Sequence, residues 1–515
     1  MVSVVTRDET RKRRRKSAAG GTTRPTGRSW RRLVNPYRPI EVLDKEAIER
    51  IHLASLKVLE DLGLEVMSER ALDILERAGA DVDRATQRVR FDRGLVLEAV
   101  AKAPAEFTLH ARNPERDVTF GGNRVLFTPV SSAPNCSDLD HGRRAGTFAD
   151  FNNFLRLAQG LDIIHFIAGY PVEPQDLPVP TRHLDCHHAF ITLTDMVWRA
   201  YALGRERCAD AIEMICIARG IDRDQLAREP GLITKINTNS PLRLDGPMAE
   251  GLIEMALAGQ AVSITPFTLA GAMSPVTLAG ALTQQNAEAL AGIALIQIVN
   301  PGTPSIYGGF TSNVDMKSGA PAFGTPENTK ATLAGGQLAR RYGLPYRSSN
   351  VNASNAVDAQ AAYESQMSLW GAVMGHANLI HHAAGWLEGG LTASFEKMMI
   401  DAEMLRMMAE YLQPIEVNDD TIAIEAMREV GPGGHFFGAA HTLARYETAF
   451  YAPMISDWRN FETWSEDGAH SATERANTLW KRRLADYEPP PIDPAVDEEL
   501  RAFVARRKAE GGVSA

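Results

Sequence analysis

Eight short apolar runs, separated by segments with helical periodicity, constrain the fold of this chain more than any other feature. The apolar runs are predicted to form strands, and they cover residues 125–130, 163–168, 197–203, 232–237, 262–266, 305–308, 346–349 and 379–382. The intervening segments are predicted to form helices over residues 148–159, 181–192, 205–219, 248–257, 278–299, 327–341, 358–374 and 394–412. Strands that alternate with helices in this way are parallel, and eight of them close into a TIM barrel, which is an α/β fold.

Two regions are predicted to flank this barrel, which is expected to cover residues 124–415. Residues 36–123 are predicted to form an N-terminal α+β extension, with helices at 44–62 and 68–78 and short strands at 87–91, 106–110 and 117–120. Residues 416–515 are predicted to form a C-terminal cap and tail.

The first 35 residues form a basic tail with eleven lysines and arginines, although the whole chain has a formal net charge of −9. A basic segment of this kind is typical of proteins that bind nucleic acid or an anionic surface. We favour a disordered, solvated tail over residues 1–35, because residues 17–26 are rich in Gly, Ala, Ser and Thr and offer no apolar face. Binding to nucleic acid is therefore not expected.

No segment of the sequence predicts export or membrane insertion. A secretory or twin-arginine signal needs an apolar stretch after its basic residues, and none follows the arginines here. A membrane-spanning helix needs roughly 20 apolar residues, and the nearest run, 289–299, is interrupted by Gln297. A cytoplasmic protein without membrane association is therefore expected.

The four cysteines are Cys136, Cys186, Cys208 and Cys216, and their spacing fits neither a zinc ribbon nor a disulfide framework. They are expected to be reduced and mostly buried. Cys136 follows a predicted strand-to-loop transition, so it is also a candidate to line a site.

In a TIM barrel the chemistry takes place on the loops that follow the carboxyl ends of the strands. We identify no lysine at a strand end of the kind that Schiff-base aldolases use, and no carboxylate pair of the kind that glycosidases use. Adjacent residues on a strand face opposite sides, so His381 and His382 are not expected to bind one metal ion together. No metal site is predicted.

The predicted strand ends are rich in amides, hydroxyls and aromatic rings, which suits a ligand whose reactive group needs no proton transfer. A quaternary ammonium is such a group, and aromatic faces hold it by cation–π attraction. The candidate aromatic residues are Tyr170, Tyr307, Phe310, Tyr363 and Trp386. Each of them is equally suited to core packing, so this assignment remains open at the level of sequence.

Several motifs identify the chain with a known family. The most specific is a glycine-rich segment with two histidines, Gly431-Pro-Gly-Gly-His435-Phe-Phe-Gly-Ala-Ala-His441-Thr442. The others are Tyr307-Gly-Gly309, Asp315-Met-Lys317, Asn355-Ala-Val-Asp358-Ala-Gln-Ala-Ala-Tyr363-Glu364 and Pro453-Met-Ile-Ser-Asp457-Trp-Arg459. With these motifs the chain resembles the trimethylamine methyltransferase family from about residue 42 to about residue 484.

This resemblance implies a TIM barrel that transfers a methyl group from a methylated amine to the Co(I) corrinoid of a small, separate partner protein. No tightly bound cofactor is then expected in this chain. Founding members of the family carry pyrrolysine in the region that matches residues 349–358, whereas this chain has standard residues there. The resemblance therefore implies a quaternary amine as substrate. Glycine betaine is the first candidate, and carnitine, proline betaine and choline are the others.

The resemblance also implies roles for individual residues. The substrate-binding residues are expected to include Asn237, Asn350, Asn352 and His382 in addition to the five aromatic residues. A substrate carboxylate is expected to need a positive charge, for which Arg347 and Lys317 are the candidates. The residues expected to face the corrinoid or its carrier are Asn355, Asp358, His435 and His441. No residue is assigned as certainly catalytic.

Two other classes of protein remain compatible with the sequence. One is a different barrel enzyme, such as a pterin-dependent methyltransferase or a lyase. The other is a non-catalytic protein that binds a betaine. In each case the helical outer face of a barrel favours a homo-oligomer.

Overall fold

A parallel sheet of seven strands forms the centre of the protein in a computed structural model that describes residues 32–513. In chain order the strands are Arg124–Pro129, Trp198–Arg199, Leu232–Ile236, Ala261–Ile264, Ser305–Gly308, Tyr346–Ser349 and Leu379–Ala384. From Trp198–Arg199 onward, each strand pairs in parallel with the next in the chain. The last strand, Leu379–Ala384, pairs in parallel with the first, Arg124–Pro129.

Residues 163–168 close this sheet into a barrel. The backbone N–H of His165 donates to the carbonyl of Phe127 at 2.9 Å, and that of Ile167 donates to Val197 at 3.0 Å. Arg199 N–H in turn donates to the carbonyl of Ile167 at 2.9 Å. The predicted TIM barrel is thereby confirmed, with residues 163–168 in the position of its second strand.

This second strand is irregular because a histidine side chain takes the place of a backbone carbonyl as one acceptor in its hydrogen-bond ladder. The N–H of Phe127 donates to Nδ1 of the His165 ring at 2.9 Å, so a backbone carbonyl of residues 163–168 is not its acceptor. The next strand is also shorter than predicted, since it covers Trp198–Arg199 where the sequence predicts 197–203.

Each predicted barrel helix is present, and both of its ends lie within two residues of the predicted ones. The helices are Phe148–Gln159, Arg182–Leu193, Arg205–Arg219, Gly246–Leu257, Leu278–Val299, Pro326–Arg341, Ala359–Met374 and Phe395–Tyr411. Most of them begin at a side-chain cap. Thr147 forms a capping box with Asp150, and Ser394 accepts a hydrogen bond from Lys397 N–H. A short additional helix, Arg223–Arg228, follows the third of them.

The N-terminal extension contains the predicted elements, together with one helix and the strands Leu64–Val66 and Asp81–Asp83 that the sequence pattern missed. Its helices are Lys45–Asp61, Glu69–Arg77 and the unpredicted Arg93–Val100, and its strands are Leu64–Val66, Asp81–Asp83, Arg88–Arg90, Phe107–Leu109 and Val118–Phe120. A barrel loop contributes Arg243–Leu244, which pairs in parallel with Leu64–Val66. Leu109 and Phe120 belong to the same buried apolar cluster as Ile233 of the barrel, so the extension closes the amino-terminal end of the barrel.

The extension begins with a two-residue strand, Leu33–Val34, which pairs antiparallel with Arg124–Pro129. Leu33 and Asn35 are buried. The expected end of the tail at residue 35 therefore falls within a packed segment, and residues 1–31 of that tail lie outside the described residues.

The loops after the barrel strands form two small sheets of their own. One contains Asn135–Asp138, Gly142–Ala145, Trp386–Leu387 and Thr392–Ser394, and the other contains Leu269–Ala270, Ser312–Val314 and Pro321–Ala322. The short 3-10 turn Glu388–Gly390 joins two strands of the first sheet. These loops cover the carboxyl end of the barrel.

The C-terminal region consists of short helices followed by two long ones. In chain order they are Asp419–Ile422, Ile424–Val430, Phe436–Gly438, Ala440–Leu443, Phe461–Glu466, Ala472–Ala485 and Pro494–Ala509. The long helices pack on the barrel, where Trp480 stacks on Phe395 at 4.8 Å and Phe503 is buried. Within residues 32–513, no helix combines the length and the apolar character needed to cross a bilayer.

Close packing between a barrel helix and the loop that follows the strand Trp198–Arg199 gives a test of the fold. A Cβ atom on Gly251 would lie 2.1 Å from the carbonyl oxygen of Ala202, which is backbone and cannot rotate away. We expect Gly251→Ala to lower the free energy of unfolding by about 1–3 kcal/mol in urea denaturation. Gly438→Ala is the control, since that Cβ meets open space. Equal stability of the two variants would contradict this packing.

Candidate active site

A cavity of about 240 Å³ opens at the carboxyl end of the barrel. Its walls come from the loops that follow the strands and from the strand ends themselves. The lining residues include Ser131, Lys235, Asn237, Thr265, Phe267, Phe310, Arg347, His382, Trp386, Gly389, Gly390 and Leu391. A cavity of this size fits a small molecule, and its position is the usual one for the active site of this fold.

One wall of the cavity is aromatic. The Phe310 ring lies 5.0 Å from Phe267, and 6.3 Å from Trp386 in an edge-to-face arrangement. Phe323 supports both Phe310 and Trp386 from behind, at 5.6 and 6.4 Å. At the mouth, a Cβ atom on Gly390 would lie 2.4 Å from the Trp386 ring, so the glycine allows the ring its position. This wall offers aromatic faces to a cation.

The floor of the cavity is basic. Val197 and Ile233 belong to the apolar layer inside the barrel, and two residues further along the same strands come Arg199 and Lys235. Alternate residues of a strand point the same way, so the two basic side chains enter the barrel above that layer. Arg347 completes the group, with its guanidinium 5.2 Å from the centre of the Phe310 ring.

These three basic side chains lack acidic partners. Within residues 32–513, Nε and Nη1 of Arg199 and Nε of Arg347 are buried without a hydrogen-bond acceptor. Burial lowers the pKa of Arg199, and it lowers that of Arg347 to about 9. Burial and the charges of both arginines hold the pKa of Lys235 well below its usual range. Buried charges are normally paired, so this cluster has the character of an anion site.

A bulge in the strand Leu379–Ala384 places two histidines beside this cluster. The register shifts between Ile380 and Ala384, and His382 has a φ of 55°, which is rare for a residue with a side chain. His381 Nε2 lies 3.0 Å from Ser131 Oγ, and His382 Nδ1 accepts the N–H of Ser131 at 3.2 Å.

The two histidine rings lie 3.9 Å apart, so the expectation that they face opposite sides was wrong. The bulge is the reason, because it removes the alternation of a regular strand. Burial lowers the pKa of both rings well below the usual range, and the charge of Lys235 adds to the effect. A neutral His382 that accepts at Nδ1 carries its proton on Nε2, which makes that atom a donor.

A buried ion pair holds the bulge from outside the cavity. Asp401 accepts the N–H of Gly385 at 2.8 Å and pairs with Lys397, while Lys397 also donates to Ser365 Oγ at 2.8 Å. Asn350 Nδ2 donates to the carbonyl of Ala383 at 2.9 Å. The backbone on both sides of the bulge is therefore fixed by side chains.

The structure brings together five of the residues that the sequence singled out. Asn237, Phe310, Arg347, His382 and Trp386 line the cavity. The Oδ1 atom of Asn237 is buried without a donor among the described residues. These five positions support the predicted site, and their contact with a substrate stays a prediction.

Five other candidates lie away from the cavity. Tyr170 stacks on Tyr201 at 4.7 Å in the barrel wall. Tyr307 points outward and donates to Asn286 Oδ1 at 3.0 Å. Tyr363 is 63% exposed on an outer helix.

The remaining two of these five are asparagines that support the bulged strand and its loop. Asn350 contacts Ala383 as described, and Asn352 Nδ2 donates to the carbonyl of Trp386 at 2.7 Å. Asn352 therefore fixes the backbone that carries the Trp386 ring.

The candidates for partner contact, and Lys317 as the second candidate for added charge, lie at or near the surface. Asn355, Asp358 and His435 are exposed, and Asp358 caps the helix Ala359–Met374. His441 is half-buried, with Nε2 3.3 Å from the carbonyl of Asp420. Lys317 is exposed on a turn away from the cavity.

All four cysteines are free and buried, as expected. Burial raises the pKa of Cys136, which does not line the cavity.

The expectation of no lysine at a strand end was wrong, because Lys235 lies one residue before the end of Leu232–Ile236 and opens on the cavity. A lysine inside an apolar run is the signal that identifies it, since burying an unpaired ammonium is costly. Arg199 likewise interrupts an apolar run, at 197–203, and it was missed as well.

The family model described as trimethylamine methyltransferase (MTTB) matches residues 7–512. The chain belongs to the trimethylamine methyltransferase family. The predicted family is thereby confirmed, and so is the prediction that this chain is a methyltransferase.

Two relatives cover nearly the whole of this family member. A glycine betaine methyltransferase of Desulfitobacterium hafniense (strain Y51) is 40% identical over 472 residues, which are 92% of this chain and 98% of the relative. A trimethylamine methyltransferase MttB of Desulfitobacterium hafniense (strain DSM 10664 / DCB-2) is 31% identical over 473 residues, with 91% and 94% covered. Among solved structures, the monomethylamine methyltransferase MtmB of Methanosarcina barkeri aligns with a TM-score of 0.49 and 9% identity, over 88% of this chain and 90% of that one.

The ion pair beneath the bulge gives a test of how the site is held. We expect Lys397→Met to lower the free energy of unfolding by about 3–5 kcal/mol, because it leaves the buried Asp401 carboxylate without its cation. Lys57→Met is the matched control, since Lys57 forms an exposed pair with Asp61 at the same four-residue spacing. Chemical denaturation measures both, and a loss below about 1 kcal/mol for Lys397→Met would show that the pair does not hold the strand.

Proposed function

We propose that this protein transfers a methyl group from glycine betaine to a corrinoid carried by a small partner protein. The observation that carries the proposal is the cavity, which joins an aromatic wall to a cluster of basic groups without acidic partners. Glycine betaine has the complementary charges, a quaternary ammonium at one end and a carboxylate at the other. The relative that is 40% identical and named a glycine betaine methyltransferase adds support.

The basic floor discriminates against amines that lack a carboxylate. Trimethylammonium and choline would bring a positive charge into a small cavity that already contains the Arg347 guanidinium, and like charges repel strongly where water is scarce. A carboxylate reverses the sign of that interaction and supplies the missing acceptors. The arrangement therefore favours a zwitterion over a simple cation.

Residues of this chain position the substrate. Phe310 and Trp386 face the ammonium, while Arg347, Lys235 and Nε2 of His382 donate to the carboxylate. The C–N bond breaks with its electron pair on nitrogen, so a quaternary amine leaves as a neutral tertiary amine and needs no proton at that atom. The corrinoid supplies the nucleophile that accepts the methyl group. The chain contributes orientation and the exclusion of water.

The size of the cavity supports a cofactor that stays with its carrier. About 240 Å³ suits a small amine and is too little for a corrinoid macrocycle. Gly389 and Gly390 also line the cavity, and the missing side chain of Gly390 lets the Trp386 ring lie against its backbone.

The segment 415–461 is the part of the surface proposed to contact the carrier. It contains large apolar side chains that are strongly exposed, among them Phe437 and Phe450 at 85% each and Trp458 at 71%. Within the segment, the Asp420 carboxylate accepts a hydrogen bond from Arg445, and the Asp420 carbonyl oxygen lies 3.3 Å from Nε2 of His441. An exposed apolar surface of this kind is typical of a protein–protein contact, which supports a partner-facing role for His435 and His441.

The substrate is tested by calorimetric titration with glycine betaine, choline and trimethylamine, followed by the absorbance change of free cob(I)alamin. We expect saturable binding and methylation with glycine betaine alone. Trp386→Leu is expected to reduce kcat/KM at least tenfold because the ammonium loses an aromatic face. Trp370→Leu, on an outer helix, is the control. Methylation with choline or trimethylamine at the same rate would overturn the choice of substrate.

The partner surface is tested with two methyl acceptors. We expect Phe437→Ser with Phe450→Ser to leave methylation of free cob(I)alamin unchanged. With a small cobalamin-binding protein encoded by the same genome as acceptor, kcat/KM is expected to fall at least tenfold. Val179→Ser, an exposed apolar residue elsewhere, controls for a general surface effect. A variant that matches wild type with both acceptors would exclude this segment from the contact.

A further inference from the structure

Lys235 differs from the two arginines beside it in one chemical respect. A guanidinium keeps its proton at neutral pH even where burial lowers its pKa, whereas an ammonium loses its proton more readily. Nζ of Lys235 lies 3.4 Å from His381 Nε2, and its side chain opens on the cavity. The lysine is therefore the group in the basic cluster whose charge responds to what the cavity contains.

The surroundings of Lys235 are positive or neutral from every side. Arg199 comes from the preceding strand, with Nη2 donating to the carbonyl of Lys235 at 3.3 Å, and Arg347 comes from across the barrel. The bulged strand brings His381 and His382, and the first strand's loop brings Ser131. Within residues 32–513, no carboxylate contributes to the charge environment of Lys235.

His381 can accept a hydrogen bond from Lys235 in this arrangement. Its Nδ1 lies 3.1 Å from Thr128 Oγ1, so a ring that donates at Nδ1 has Nε2 as an acceptor, which both Lys235 Nζ and Ser131 Oγ approach. That hydrogen bond is available to the neutral amine and to the ammonium alike. The contact therefore tolerates both protonation states of Lys235.

We propose that Lys235 takes up a proton when a carboxylate-bearing ligand enters the cavity, and that this uptake determines selectivity for carboxylate ligands. With the cavity free of anions, the two arginines and the low-dielectric surroundings favour the neutral amine. A carboxylate placed among the three groups favours the ammonium and raises the pKa of Lys235 again. The proton comes from solvent, and it completes a donor set for the carboxylate.

This coupling has a defined sign. Because the complex holds one more proton than its separate parts, the affinity for the carboxylate ligand falls as pH rises, by about tenfold per pH unit at the limit of one proton. At a pH below the pKa of Lys235 in the free protein the lysine is already charged, and the dependence disappears. Choline brings no carboxylate, so its binding involves no uptake.

The inference rests on the proposed function. The number of protons taken up on ligand binding tests the inference separately from that function. Glycine betaine and acetate are titrated into the whole protein in HEPES, imidazole and Tris at one pH, and the dependence of the observed enthalpy on buffer ionisation enthalpy gives the number of protons. We expect uptake of about one proton for wild type with each ligand at pH 7.5. Lys330→Met, an exposed lysine, is expected to behave as wild type.

Two variants at the site make the assignment to Lys235 testable. Lys235→Arg keeps a permanent charge, so it is expected to bind glycine betaine with no proton uptake and with an affinity independent of pH. Lys235→Met is expected to bind at least tenfold more weakly and without uptake. Thermal melting of each variant checks that it is folded, and Lys235→Arg preserves the test if Lys235→Met is not.

Each outcome decides at least one of the two proposals. Methylation from glycine betaine without proton uptake overturns the role of Lys235 and leaves the proposed function intact. Uptake with acetate but no binding of glycine betaine supports the role of Lys235 and overturns the proposed substrate. Uptake that persists in Lys235→Arg assigns the proton to a histidine and overturns the inference, and failure of both ligands to bind overturns both proposals.

Discussion

The bulge in the strand Leu379–Ala384 is the constraint on which the arrangement of the site depends. A regular strand would send His381 and His382 to opposite faces, and the loop that carries Trp386 would leave the barrel in another direction. The positive φ of His382 is costly, so surrounding groups must impose it. Asp401 holds Gly385, and Asn350 holds Ala383, on the far side of the strand from the cavity. The ion pair between Asp401 and Lys397 thus fixes the backbone that leads to Trp386 in the aromatic wall of the cavity.

The rest of the chain shows how unusual the basic cluster is. Several other buried charges have close partners: Lys397 pairs with Asp401, and Asp210 receives both His183 and Arg507. Glu288 is buried too, and it accepts hydrogen bonds from Ser240 and from the N–H of Leu242. The cavity instead groups three basic side chains without an acidic partner among the described residues, and function explains this grouping better than packing does.

The barrel was predictable from sequence because apolar runs and helical periodicity are local signals, and helix caps such as Thr147 and Ser394 fix the boundaries. The faces of the strands were not. A barrel strand is apolar on both sides, so its sequence does not tell which residues enter the barrel. Tyr307 follows the inward Ile306 and therefore points to the helices, whereas Phe310, beyond the strand end, reaches the cavity.

A site that leaves Arg199, Lys235 and Arg347 without an acidic partner among the described residues works against the stability of the fold that contains it. Replacing a buried, uncompensated charge by an apolar side chain of similar volume commonly stabilises a protein. Selection for thermal stability alone would therefore remove this cluster, and with it the means of holding a carboxylate. Sequences optimised for robustness without regard to turnover are expected to lose these three residues first, which makes them a record of selection for activity.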